Sequence, residues 1–141
     1  MDLGLRGKVA VVTGGSKGIG YAAAKVFLEE GATVAICARH EEELRKAAGE
    51  LEQLGPVYWE AVDVTDAQAT YDFAEHVYRH FGSIDVWVNN VGATGLKKGE
   101  EYDDGEIDFM PGVCFKSVVF GCQAGFRVMK EKGGSHVKVS S

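Results

Sequence analysis

The sequence predicts an α/β fold, a doubly wound parallel sheet of about five strands with helices on both faces. Three observations predict it. Short apolar, β-branched runs alternate with longer stretches of helical periodicity. The first run, Lys8–Thr13 (KVAVVT), is apolar on both faces, as strands covered on two sides by helices are. A glycine-rich stretch sits where that strand gives way to the first helix. Alternation of this kind implies right-handed βαβ units.

The elements follow in order. Gly18–Glu30 reads as a helix with Ala22, Ala23, Val26 and Phe27 on its apolar face, and Gly31 sits where a C-terminal cap belongs. Thr33–Cys37 (TVAIC) is a second strand. Glu41–Leu54 is a charged amphipathic helix stopped by Gly55-Pro56. Val57–Val62 forms a third strand, Asp66–His80 a third helix with Asp66 as its N-cap, and Ile84–Val88 a fourth strand. Beyond a Gly- and Lys-rich loop, Asp103–Lys130 reads as a long helix, interrupted by Pro111 and Gly112 in a way that predicts a kink or a late start. His136–Val139 is a fifth strand. No linker or repeat divides residues 1–141, so one domain is expected.

Composition narrows the function. A chain of 141 residues, 45% hydrophobic and 26% charged, has the balance of a globular protein. A net charge of −6 argues against a nucleic-acid partner, which needs a clustered basic face. No apolar run is long enough to span a bilayer, and MDLGLRGK lacks a signal-peptide core, so no membrane association and a cytoplasmic location are expected. Cys37, Cys114 and Cys122 have no CxxC spacing and read as reduced apolar residues. The four histidines have no metal-binding spacing, and His76 and His80 read as solvated side chains on one helix face.

Thr13-Gly14-Gly15-Ser16-Lys17-Gly18-Ile19-Gly20 carries the first chemical signal. Without Cβ atoms the backbone can turn sharply, and a pyrophosphate can approach the helix N-terminus, where N–H groups and the dipole favour anions. A simple turn is the alternative, but the strand before and the helix after favour dinucleotide binding. The spacing is TGxxxGxG rather than GxGxxG.

With the stretches quoted below, this variant closely resembles the short-chain dehydrogenase/reductase family, from Lys8 to the last residue. The resemblance implies a Rossmann-type sheet and cofactor contacts at Gly14, Ser16, Lys17, Gly18, Ile19 and Gly20. Arg39 follows the second strand, where enzymes preferring NAD carry an acid for the ribose 2′-hydroxyl, and a guanidinium there suits the 2′-phosphate of NADP. Lys17 adds a second cation, and the pair implies NADP(H). Asp63-Val64, ending the third strand, would embrace the adenine, although Asp63 could instead cap the turn through Thr65 and Asp66. Asn89-Asn90-Val91-Gly92 resembles the family's NNAG stretch, with Asn90 and Gly92 beside the cofactor.

Catalysis in such enzymes rests on a serine, a tyrosine, a lysine and an asparagine, working as a general acid–base set beside a hydride donor. Gly134–Ser141 (GSHVKVSS) places the serine at Ser141. A Tyr-x-x-x-Lys motif is due about a dozen residues after it, a position not reached within residues 1–141. Tyr21 and Lys25 have that spacing but belong to the first helix. Aligning Lys116–Ala124 with the family places Cys114 at the asparagine, and Lys138 puts a charge in a strand expected to be buried. Family members run to about 250 residues, the upper end of common domain size. The chain is therefore expected to be the N-terminal part of a longer enzyme, inactive alone, that interconverts a small-molecule carbonyl and an alcohol and assembles as a homodimer or homotetramer. The alternatives are a non-catalytic dinucleotide-binding module and an interaction protein using the long helix.

Overall fold

A computed structural model describes residues 3–90 and 116–130, and for 135–138 the backbone alone. The element order is β1 (Val9–Thr13), α1 (Gly18–Glu29), β2 (Thr33–Ala38), α2 (Glu41–Leu51), β3 (Val57–Ala61), α3 (Ala67–Phe81), β4 (Val86–Asn89), α4 (Ser117–Met129) and β5 (Ser135–Lys138). The strands lie in the order β3-β2-β1-β4-β5, and every neighbouring pair is parallel.

Strand alternation divides the core between the two faces of this sheet. Val9 and Val11 of β1, Ala35 and Cys37 of β2 and Trp87 of β4 pack on one side, under Phe73, Ala74 and Val77 of α3 and Ala124 and Met129 of α4. Ala10 and Val12, Val34 and Ile36, and Val88 pack on the other, under Ala24 and Leu28 of α1 and Leu44, Ala48 and Leu51 of α2. All five residues of β1 are buried, which is why its sequence carries no alternation.

Helix ends follow local chemistry. Asp66 caps α3 by accepting from the Ala69 N–H at 3.0 Å. At the end of α1 the Ala32 N–H reaches the Phe27 carbonyl (2.9 Å) and the Gly31 N–H that of Leu28 (3.0 Å), the paired bonds of a Schellman turn. The remaining differences from expectation have physical causes. Helix α2 stops at Leu51 rather than Leu54, and residues 52–54 form a turn before Pro56, whose ring restricts Gly55. The stripe of α1 facing the sheet is Gly20, Ala24 and Leu28, with Phe27 partly buried, whereas Ala22 and Val26 are exposed. Small residues on that stripe let the helix lie close to the sheet, and periodicity alone rated the larger Val26 above them. Pro111, Gly112 and Cys114 lie outside the described residues, as does most of the predicted helix before Ser117.

The order β3-β2-β1 runs one way from β1 and β4-β5 runs the other. In open parallel sheets the crevice for a ligand opens at the carboxyl ends of the strands on either side of such a reversal. Here that crevice lies between the ends of β1 and β4.

Candidate dinucleotide-binding site

Two segments meet at this reversal, the glycine loop after β1 and Asn89-Asn90 at the end of β4. Thr13 joins them. Its buried hydroxyl accepts from the Asn90 N–H at 2.9 Å and donates to the Val88 carbonyl at 3.3 Å. The Asn90 side chain donates to the Gly14 carbonyl at 3.3 Å, and the Gly14 N–H donates to the Cys37 carbonyl of β2 at 2.8 Å. The loop is thus held from β2 and β4 before any ligand arrives.

The glycines are required by this closeness. Gly14 has φ +67°, and a Cβ there would come within 2.6 Å of the Asn90 carbonyl oxygen. A Cβ on Gly20 would collide with the Gly14 carbonyl and the Asn90 amide nitrogen. Helix α1 begins at Gly18, with Lys17 in its N-cap position, no side-chain cap and no acid in its first turn. A tightly folded loop opening on an uncapped helix N-terminus suits a phosphate group. Ser16 is half-buried in the loop, and Ile19, 66% exposed, offers an apolar surface beside it.

Lys17 and Arg39 are both exposed, and Lys17 Nζ lies 3.9 Å from Glu43 Oε2. Asp63 Oδ1 accepts from both the Thr65 hydroxyl (2.6 Å) and the Thr65 N–H (3.0 Å), so the turn-capping contact is formed. The Thr65 hydroxyl foremost, then its N–H, holds the Asp63 carboxyl below its ordinary range, with the Arg39 guanidinium adding to the effect. Val64 is buried among the residues under α3. Gly92 and Ser141 lie outside the described residues.

Thr13 and Asn89 belong to motifs that the sequence singles out, and the structure adds their contacts, whereas Glu43 carries no such signal. Thr13 is the joint between the two segments, and its place at the head of TGxxxGxG was the available signal. Asn89 is buried, accepting from the Trp87 indole N–H (2.9 Å) and donating to Cys122 Sγ of α4 (3.5 Å). Glu43 was one of three consecutive acids, and only helix register singles it out. Tyr21 is engaged away from the loop end of α1. Its hydroxyl donates to Glu50 of α2 at 2.9 Å, and that bond raises its pKa, the opposite of what a tyrosinate needs. His76 and His80 are exposed on one face of α3, as expected, and each also makes a surface contact. His76 Nδ1 lies 3.0 Å from Glu60 Oε2, and the His80 ring lies against Tyr58 and Phe81. Among the described residues no group of His, Cys, Asp and Glu could hold a metal, and no helix is long and apolar enough to cross a membrane.

A sheet reversal flanked by a TGxxxGxG loop and a twin-asparagine strand end defines a nicotinamide-dinucleotide-binding protein of the Rossmann type. The chain belongs to the short chain dehydrogenase family, whose pattern it matches over residues 8–141. It is 33% identical over 138 residues to a 3alpha-hydroxysteroid dehydrogenase of Mediterraneibacter gnavus, covering 95% of this chain and 55% of the relative. It is 36% identical over 129 residues to an NADP-dependent (R)-specific alcohol dehydrogenase of Lentilactobacillus kefiri, covering 92% and 51%. Its fold superposes on the crystal structure of an NAD+-bound xylitol dehydrogenase with a TM-score of 0.90 at 28% identity, covering 97% of this chain and 54% of that one. The chain spans about half the length of these relatives.

Proposed function

We propose that this chain forms the cofactor-binding part of an NADP(H)-dependent oxidoreductase that interconverts a ketone or aldehyde and an alcohol. The observation that carries the proposal is the glycine loop held by Thr13 and Asn90 against the uncapped start of α1. The bound cofactor supplies or accepts the hydride.

The chain's own residues bind and orient. The loop from Gly14 to Gly20 takes the pyrophosphate through its N–H groups and the N-terminus of α1. Ile19 packs against the dinucleotide, and Asn90 and Gly92 line its ribose side. Asp63 and Val64 hold the adenine, Asp63 through the oxygen that Thr65 does not use. Lys17 and Arg39 hold the 2′-phosphate, Arg39 by the paired bonds its planar fork allows. An NADP-dependent relative supports this choice, and a structural neighbour holding NAD+ marks NAD as the competing ligand. Ser141 orients the substrate oxygen. The whole protein is a cytoplasmic homodimer or homotetramer acting on a small molecule, without nucleic-acid or membrane partners.

The test is carbonyl-dependent oxidation of NADPH by the protein carrying this chain, assayed over aliphatic, cyclic and steroidal ketones. Turnover with at least one supports the reading. Tight NADPH binding with no turnover on any of them favours the non-catalytic module.

A further inference from the structure

One of the two cations available for a 2′-phosphate has a carboxylate beside it: Lys17 Nζ lies 3.9 Å from Glu43 Oε2. The fold sets up this pair. Lys17 stands at the N-cap of α1, and α2 opens with three acids, Glu41, Glu42 and Glu43. Acids in a first turn stabilise the helix by opposing its dipole. The stability of α2 and anion binding beside it therefore make opposite demands on the same turn. Glu42 pairs within its own helix, with Arg45 at 3.1 Å. Glu43 instead reaches across to Lys17 of the glycine loop.

We infer that Glu43 tunes cofactor choice by competing with an incoming 2′-phosphate for Lys17, so that the site favours the phosphorylated nucleotide less than Lys17 and Arg39 alone would make it. The inference takes its ligand from the NADP(H) reading above and concerns the adenosine end only. The Lys17 and Glu43 side chains are 76% and 55% exposed, so the pair is weak and opens easily. A phosphate dianion is the stronger partner for an ammonium group. Once displaced, Glu43 stays close enough to repel the phosphate, and that repulsion is screened by salt. Glu43 touches no reacting atom. It acts through Lys17.

Adenosine 2′,5′-bisphosphate and adenosine 5′-monophosphate differ only in the 2′-phosphate, and both can be titrated calorimetrically into the full chain. Glu43→Gln is expected to tighten the bisphosphate roughly two- to fivefold at low salt and to leave the monophosphate unchanged. The gain should shrink at high salt. It should also be smaller in a Lys17→Gln background, where repulsion remains but competition is gone. Unchanged bisphosphate affinity, or an equal gain for both nucleotides, overturns the inference, since a merely structural role would move both together. The wild-type ratio of the two probes reports separately on the NADP(H) reading. A wild type that does not favour the bisphosphate undoes that reading, while a selective gain in Glu43→Gln still upholds the role of Glu43.

Discussion

The Thr13 hydroxyl receives the Asn90 backbone N–H at 2.9 Å, joining two strand ends 77 residues apart in sequence. The same oxygen donates to the Val88 carbonyl, so one side chain closes the sheet at the point where its order reverses. Thr13→Val keeps the shape and removes both bonds. It should destabilise the fold by about 1–3 kcal/mol, the cost of stranding a buried donor. It should also weaken NADPH binding, because the loop and Asn90 lose their common anchor. Urea unfolding and NADPH titration of the same variant measure the two effects. An unchanged midpoint would show that the joint contributes nothing.

Gly20→Ala drives a methyl group into the Gly14 carbonyl and the Asn90 amide. Overpacking of this kind costs about 1–3 kcal/mol. The strain falls on the loop rather than on the two cores. Far-ultraviolet circular dichroism should therefore stay close to wild type while NADPH affinity drops at least tenfold.

Tyr21→Phe separates motif spacing from chemistry. The Tyr21 hydroxyl is engaged with Glu50 across the α1–α2 contact, so its removal should leave kcat/KM of the whole enzyme within about twofold and lower stability by less than about 1 kcal/mol. Loss of turnover at full cofactor binding would return Tyr21 and Lys25 to candidacy as the proton-transfer pair.

Cys37 lies in the core, and burial pushes its thiol from an ordinary 9.0 up to about 12. A group whose folded pKa is raised contributes its stability in full below the unfolded value and loses it as pH climbs towards the folded one. Wild-type stability should thus fall between pH 9 and pH 12 more steeply than that of Cys37→Ala, as followed by urea midpoints. Peptide mapping after alkylation of the native protein at pH 8 should find Cys37 unmodified.

The layered architecture was legible because burial writes itself into composition. The unbroken apolar run of β1 announced a strand covered on both faces, and Asp66 and Gly31 marked helix ends by chemistry that acts within a few residues. The inward face of α1 was not legible, since Gly20 and Ala24 owe their burial to closeness rather than to hydrophobicity. In the site, the glycine spacing and the two cations could be read directly from the chain. Their anchors could not. That Thr13 meets Asn90, and that Glu43 rather than Glu42 meets Lys17, depends on strand order and helix register, which bring together residues far apart in sequence.

The proposed selection of NADP(H) by the glycine loop and Arg39 is open to fluorescence titration of wild type and Arg39→Asp with NADPH and with NADH. Wild type should bind NADPH more tightly than NADH, and Arg39→Asp should narrow or reverse that preference. Equal affinities of the wild type for the two cofactors would contradict it.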